Sequence, residues 1–268
     1  MYLKLTIPLL SLLLFVGFVY LSLPPGPQLP IAKIEKLERR SIADLSYLRS
    51  GPSNKQRVIL IHGTPGDATA MADFIANPIP GVEMIALDRP GFGKTLPHEP
   101  LLSYKAQAKR ISVLLESRQG RWPILVGHSL GGPIASRLAA DFPDKVDGLI
   151  IVAGSLDPAL EKPCWYNHLG TIPPINWFLP DSLQHSNKEI FAALKQTKLL
   201  AKVLHKVQAP VIAIHGTKDP LVPYKNVEYM RRVFKTAKSF EIIRLEGVNH
   251  FIPWNNARQI RLGVEKLL

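Results

Sequence analysis

The sequence predicts an α/β fold: a mostly parallel β-sheet with helices on both faces, an inserted helical lid and an N-terminal transmembrane anchor helix. From about residue 45 onward, short apolar runs rich in β-branched residues alternate with longer helical stretches. This alternation is interrupted between residues 155 and 207, and an uncharged apolar run occupies residues 5–23. We therefore divide the chain into an anchor with the start of a linker (1–27), a first core part (28–154), a lid (155–207) and a second core part (208–268).

The composition is that of an ordered domain with a basic surface. A chain of 268 residues of which 46% are hydrophobic can bury the core of one α/β domain. The single cysteine, Cys164, excludes an intramolecular disulfide. The formal charge of +12 fits a solvated basic surface or attraction to anionic lipid headgroups or acidic partners. We expect no nucleic-acid partner, because the sequence contains no zinc finger, aromatic RNA-binding motif or helix-turn-helix pattern.

The apolar run at residues 5–23 predicts a single-pass anchor in the lipid bilayer, because about twenty apolar residues in a helix can cross a membrane. A cleaved signal peptide is the alternative, but Tyr20, Ser22 and Leu23 do not form a small-residue cleavage site. Basic residues after the run favour a cytoplasmic domain by the positive-inside rule, whereas a short basic start before an apolar run is typical of export. We take the catalytic domain to be extracytoplasmic, with the cytoplasmic face and export after cleavage as alternatives.

The core elements follow in order along the chain. Residues 45–51 and the segment before them are expected to form antiparallel edge strands. Further strands are predicted at 57–63, 82–88, 123–127, 147–154, 209–216 and 239–245. Helices are predicted at 67–76 (with Asp67 as N-cap), 103–117, 130–142, 224–236 and 255–268. Strands separated by helices imply a parallel sheet that is covered on both faces.

A G-x-S-x-G motif at residues 127–131 predicts a nucleophile at Ser129. The motif lies between a predicted strand and a predicted helix, so the chain has to reverse its path within a few residues. Such a turn strains the backbone of the serine, and the flanking glycines Gly127 and Gly131 remove side chains that would collide. The alternative is a polar turn without a catalytic role.

A serine nucleophile needs a base and an acid that orients the base. His250 follows the last strand and can reach the carboxyl edge of the sheet. Asp219 comes directly after a strand and is the candidate acid; Asp157, which also follows a strand, is the second candidate. Packing or turn roles are expected for three histidines at strand ends: His62, His128 and His215.

The order Ser129, Asp219, His250 resembles the catalytic triad of the α/β-hydrolase family. The resemblance runs from about residue 45 to the end of the sequence and includes "HGTPG" (62–66) and "DRPGFGKT" (88–95). It implies an oxyanion hole built from the backbone N–H groups of Leu130 and Thr64. We expect no metal, since a single cysteine offers no pair for a structural zinc site, and no cofactor, since the sequence has neither a P-loop nor a G-x-G-x-x-G after a strand that would bind a nucleotide.

A serine nucleophile implies acyl transfer through an acyl-enzyme, so a membrane-anchored hydrolase of carboxylic esters is the leading hypothesis, with a small-molecule acyl substrate. A peptidase, thioesterase, perhydrolase or acyltransferase would use the same groups, and a non-catalytic binding protein of the same fold is a further alternative. Three lid aromatics are candidate substrate-binding residues, or else pack the lid onto the sheet: Trp165, Trp177 and Phe178. The sequence leaves the oligomeric state open.

Overall fold

An eight-stranded β-sheet forms the centre of the computed structural model, which describes residues 29–268. The strands are β1 (Glu38–Ile42), β2 (Leu45–Ser50), β3 (Arg57–Ile61), β4 (Glu83–Leu87), β5 (Ile124–His128), β6 (Gly148–Val152), β7 (Val211–Gly216) and β8 (Phe240–Leu245). Their order in the sheet is β1-β2-β4-β3-β5-β6-β7-β8. β1 pairs with β2 and β2 with β4 in antiparallel fashion, and every other neighbouring pair is parallel. The predicted mostly parallel sheet with antiparallel edge strands is confirmed.

Helices cover both faces of the sheet. They are α1 (Ile31–Ile34), α2 (Ala72–Ala76), α3 (Tyr104–Ile111), α4 (Gly131–Asp141), α5 (Trp165–Leu169), α6 (Asp181–Ala201), α7 (Lys225–Val233), α8 (Ile252–Asn255) and α9 (Ala257–Glu265). Side chains of α3, α4 and α7 join one hydrophobic cluster, and side chains of α2 and α9 join a second cluster. All residues of β3 to β7 are buried, as expected for strands covered on both sides.

Three predicted helices differ most from the observed ones, and the helix predicted at 224–236 ends three residues earlier, at Val233. The first opens with a 3₁₀ turn (Ala68–Met71), and Asp67 caps it by accepting a hydrogen bond from the N–H of Thr69 at 2.7 Å. α3 is shorter than predicted and passes into a 3₁₀ turn (Ser112–Leu114). The C-terminal helix is divided at Asn256, whose φ of −137° and ψ of 33° are not helical. Local backbone geometry at helix ends explains each difference.

The segment predicted to form a lid lies between β6 and β7 and contains α5, a 3₁₀ turn (Ile175–Phe178) and α6. One face of the long helix α6 is buried at three- and four-residue spacing, namely at Ser186, Glu189, Ala193, Thr197 and Leu200. The opposite face carries exposed lysines. This helix therefore packs on the core along its length.

Within residues 29–268, no helix combines the length and apolar character needed to cross a membrane. The anchor expected at residues 5–23 lies outside the part of the chain that the structure describes.

Candidate active site

Ser129 lies on a sharp turn between β5 and α4. Its φ is +53°, a left-handed conformation that is costly for any residue with a side chain. The turn is held by two backbone hydrogen bonds: the N–H of Ser129 donates to the carbonyl of Val152 at 2.9 Å, and its carbonyl accepts from the N–H of Gly132 at 3.0 Å. Ser129 is partly exposed, whereas both residues beside it are buried. The strained turn therefore leaves Ser129 partly accessible to solvent.

Glycines around the turn allow the chain segments to touch. A Cβ atom at Gly127 would lie 2.3 Å from the carbonyl oxygen of Gly131, and one at Gly131 would lie 2.2 Å from the carbonyl oxygen of Ile61. A Cβ at Gly63 would lie 2.8 Å from Cβ and 3.3 Å from Oγ of Ser129. The loop after β3 is therefore packed directly against the serine side chain.

His250 and Asp219 form a buried hydrogen-bonded pair. Nδ1–H of His250 donates to Oδ2 of Asp219 at 2.7 Å. The other oxygen, Oδ1, accepts from the N–H groups of Leu221 at 2.9 Å and Val222 at 2.7 Å, so the carboxylate is fixed in orientation. A proton on Nδ1 leaves Nε2 of His250 as the atom that can accept a proton.

His128 connects this pair to the serine turn. Its Nε2–H donates to the carbonyl of His250 at 3.1 Å, and the two imidazole rings are 5.0 Å apart. Burial, with a contribution from charge on His250, lowers the pKa of His128 to about 3. His128 therefore stays neutral near neutral pH, and its buried ring packs against His250, which is a packing role of the kind expected of it.

The strand order accounts for this grouping. Ser129 follows β5, Asp219 follows β7 and His250 follows β8, and these strands run parallel within one sheet. The carboxyl ends of parallel strands meet at the same edge of a sheet, where ligands of open α/β sheets bind. The structure brings the residues named from the sequence to this edge.

Asp157, the second candidate acid, has a different environment. Its Oδ1 accepts from the N–H of Ala159 at 2.9 Å, and its own N–H donates to Oδ1 of Asn226 at 2.8 Å. These contacts stabilise a turn after β6. Of the two candidate acids, Asp219 is the one that contacts His250.

His215 supports the acid from the other side. Its Nε2–H donates to the carbonyl of Val222 at 2.9 Å and lies 3.5 Å from Oδ2 of Asp219. Burial lowers the pKa of this histidine. Like His128, His215 is a neutral neighbour of the Asp219–His250 pair.

The two expected oxyanion donors lie beside the serine turn. Leu130 precedes the first residue of α4, where N–H groups at a helix start favour negative charge. Thr64 is partly exposed, and its Oγ1–H donates to Oγ of Ser186 in α6 at 2.9 Å. Their role as oxyanion donors stays a prediction.

The three lid aromatics are exposed: Trp165 by 65%, Trp177 by 72% and Phe178 by 76%. Trp177 and Phe178 therefore do not pack the lid onto the sheet, which was the alternative to a role in substrate binding. A role in substrate binding stays a prediction for all three.

Sequence reasoning missed Arg89 and its partner Glu189. Both side chains are buried, with Nη1 of Arg89 2.6 Å from Oε1 of Glu189. The sequence feature that could have indicated this pair is an arginine directly after a predicted buried strand, because a buried arginine requires a counter-charge.

Among residues 29–268, no group of three or more His, Cys, Asp or Glu side chains is arranged to hold a metal ion.

Comparisons with known proteins agree with the fold. Residues 56–174 match the family model of the alpha/beta hydrolase fold, and residues 123–265 match that of the prolyl oligopeptidase family. A poly(3-hydroxyalkanoate) depolymerase of Ectopseudomonas oleovorans is 25% identical over 236 residues, which are 76% of this chain and 82% of that protein. Lipase 1 of Psychrobacter immobilis is 25% identical over 252 residues, covering 81% of this chain and 78% of the relative.

Among solved structures, a monoacylglycerol lipase of Paleococcus ferrophilus superposes with a TM-score of 0.62 at 24% identity, covering 83% of this chain and 98% of that one. This likeness concerns the fold. The sequence relatives include proteins named as lipases, a depolymerase and a methyl ester esterase. The sheet, the serine turn and these matches together establish that the chain belongs to the α/β-hydrolase superfamily.

Proposed function

We propose that the protein hydrolyses carboxylic esters through an acyl-enzyme formed on Ser129. The observation that carries the proposal is the 2.7 Å hydrogen bond from Nδ1 of His250 to Asp219. That bond fixes the tautomer in which Nε2 can remove a proton from a serine hydroxyl. In this proposal the hydroxyl comes from Ser129, whose strained, partly exposed turn is linked to His250 through the hydrogen bond of the neighbouring His128.

In the proposed reaction, Nε2 of His250 takes the proton of Ser129 while Oγ attacks the carbonyl carbon of the ester. The carbonyl oxygen becomes an oxyanion, which accepts hydrogen bonds from the N–H groups of Leu130 and Thr64. Collapse of the tetrahedral intermediate expels the alcohol oxygen, which receives the proton from His250. A water molecule then attacks the acyl-enzyme with His250 as base, releasing the carboxylic acid and restoring Ser129.

Electrostatics favour the charges that form during these steps. The Asp219 carboxylate stabilises a protonated His250, and the two neighbouring histidines, being neutral, add no opposing charge. Each oxyanion donor lowers the barrier by about 3 kcal/mol, because it is oriented before the oxyanion forms.

The substrate class proposed is an uncharged ester with an apolar acyl group. Relatives named lipase and depolymerase support this choice. We propose that the exposed aromatic side chains of Trp165, Trp177 and Phe178 contact the acyl chain. Peptide hydrolysis is the second candidate, because residues 123–265 match the prolyl oligopeptidase family. Thioesterase, perhydrolase and acyltransferase activities use the same groups, and a substrate panel that includes a peptide anilide and a thioester separates them.

We also propose that residues 5–23 anchor the enzyme in a lipid bilayer with the catalytic domain on the extracytoplasmic side. The support is the uncharged apolar run itself, which is long enough to cross the hydrocarbon core as a helix. Protease treatment of intact cells, with the domain followed by antibody, tests the orientation: degradation of the domain supports it, and protection contradicts it.

Ser129→Ala tests the proposed reaction. We expect the variant to fold and its hydrolysis of p-nitrophenyl butyrate to fall by several orders of magnitude, since the groups of a triad act as a unit. Ser112→Ala is the matched control, because that hydroxyl donates only to the carbonyl of Lys109 on the surface. A folded Ser129→Ala protein with wild-type activity, or a wild-type protein inactive on every acyl substrate in the panel, would overturn the proposal. Activity confined to peptides would favour the second candidate.

A further inference from the structure

Helix α6 contacts the β3 loop, defined here as residues 62–66, at two points. Oγ1–H of Thr64 donates to Oγ of Ser186, which in turn donates to the carbonyl of Ser182 at 2.6 Å. The second contact runs through Arg89, which pairs with Glu189, three residues further along the same face of the helix. The long helix over the sheet thus supports the loop that carries the expected oxyanion donor.

The guanidinium of Arg89 uses all five of its N–H groups. Its Nε–H donates to the carbonyl of His62 at 3.0 Å, and Nη2–H donates to the carbonyl of Gly63 at 3.0 Å. Nη1–H and Nη2–H donate to the two oxygens of Glu189 at 2.6 and 2.9 Å. A further Nη1–H donates to Oε1 of Gln107 at 3.0 Å. The guanidinium is therefore fixed, and it holds two consecutive carbonyls of the β3 loop.

The carbonyl of Gly63 determines the direction of the N–H of Thr64, because both belong to one planar peptide unit. This unit is trans, so its C=O and N–H point in opposite directions. The carbonyl also accepts from Nδ1–H of His62 at 2.7 Å, on the same side as Arg89. The N–H of Thr64 is therefore directed away from Arg89, and Gly63 itself lies against the side chain of Ser129.

We propose that Arg89 and Glu189 are positioning residues that set the direction of the Thr64 N–H and so link the docking of α6 to the oxyanion hole. This inference rests on the proposed ester hydrolysis. Glu189 is needed because a buried guanidinium without a counter-charge would be drawn toward water and would release the two carbonyls. Displacement of α6 therefore weakens transition-state stabilisation even if Ser129, Asp219 and His250 stay in place.

The test uses the full chain and three variants: Glu189→Gln, the double variant Arg89→Met with Glu189→Met, and Glu83→Gln as a matched control. Glu83 is a buried carboxylate that also pairs with a buried arginine, Arg57, at 2.6 Å, and in addition with Arg49 and Arg118. It lies at the first residue of β4, the opposite end of the strands from the site. The double variant removes both charges, and replacing a buried ion pair by apolar residues is often neutral for stability. The double variant therefore tests the positioning role of the pair even if Glu189→Gln unfolds.

For each variant, kcat and KM for p-nitrophenyl butyrate, the Tm, and the Ki of an alkyl trifluoromethyl ketone are measured. The ketone forms a tetrahedral adduct with an oxyanion. We expect kcat to fall about 10- to 100-fold in the Glu189→Gln and double variants, and Ki for the ketone to rise by the same factor. This loss is smaller than that expected from removing an oxyanion donor altogether, because the Thr64 N–H is misdirected and not absent. KM should change by no more than about threefold, because the ground-state ester does not need the donor. Glu83→Gln should lower the Tm and leave kcat unchanged.

A double variant with wild-type Tm and wild-type kcat would overturn the inference and reduce the pair to a structural role. Equal losses of kcat in Glu83→Gln and Glu189→Gln would overturn it as well, since both would then act through stability. Failure of the proposed function is a separate result: the wild-type protein would be inactive on esters, or the Ser129→Ala variant would remain active.

Discussion

Replacing Asp219 by asparagine should lower kcat by about four orders of magnitude while the protein stays folded. The side chain keeps its shape, but one carboxylate oxygen becomes an NH₂ group. The effect follows from which of the two oxygens is replaced.

Oδ1 of Asp219 accepts two backbone N–H groups, at 2.9 and 2.7 Å, and Oδ2 accepts from Nδ1–H of His250. The asparagine oxygen stays on the two backbone donors, because a flipped amide would leave both unsatisfied at about 1–3 kcal/mol each. The NH₂ group then faces His250, which can accept its hydrogen bond only by moving its proton to Nε2. The histidine loses its function as a base, and four orders of magnitude correspond to about 5 kcal/mol of barrier.

The assay is hydrolysis of p-nitrophenyl butyrate at pH 8, with the Tm of each variant as the measure of folding. Asp157→Asn is the matched control: its Oδ1 accepts one backbone N–H, which the asparagine oxygen also accepts, so its activity should stay near wild type. A folded Asp219→Asn protein within tenfold of wild type, or an Asp157→Asn variant that is the more damaged of the two, would refute the reasoning.

Three further predictions follow from other parts of the structure. Gly63→Ala should lower kcat about 10- to 100-fold, since its methyl group would lie 2.8 Å from Cβ of Ser129 and displace the nucleophile; wild-type kcat would contradict this. Because the folded pKa of His128 is about 3, against an ordinary 6.5, the unfolded chain binds the proton first. The free energy of unfolding should then fall as pH drops below about 6.5, by about 2 kcal/mol at pH 5. Urea unfolding at pH 8 and at pH 5 should show a smaller loss of stability in His128→Gln than in the wild type. An equal loss in the two proteins would contradict the lowered pKa of His128. The full chain should stay in the membrane fraction through carbonate washing, whereas a protein without residues 1–28 should be released from membranes and remain active. An inactive, unfolded truncated protein would indicate that the deleted segment packs on the domain.

Much of the fold was accessible from the sequence because its determinants are local. The strands from Arg57 to Gly216 are short buried runs of β-branched residues, and their positions were predicted to within a few residues. The G-x-S-x-G motif carries part of its geometry locally, because Gly127 is required by a contact within the turn, whereas Gly131 is required by a contact with the end of β3. Asp219 and His250 could be named because each lies in a loop that follows a predicted strand and because their order along the chain after Ser129 resembles a known triad.

The remaining features depend on contacts between distant parts of the chain. Arg89 and Glu189 are 100 positions apart, and no local pattern shows that they meet below α6. The support that His128 gives to His250 depends on how the loop after β8 returns over β5.

Covalent labelling tests the central claim most directly. The wild-type protein is incubated with a fluorophosphonate, the labelled peptide is identified by mass spectrometry, and the loss of p-nitrophenyl butyrate hydrolysis is followed in the same sample. The proposed mechanism predicts one phosphonyl group per chain on Ser129, appearing at the rate at which activity is lost, with labelling much slower in Asp219→Asn. An enzyme that hydrolyses esters while Ser129 stays unmodified, or that loses activity through modification of another residue, would contradict it.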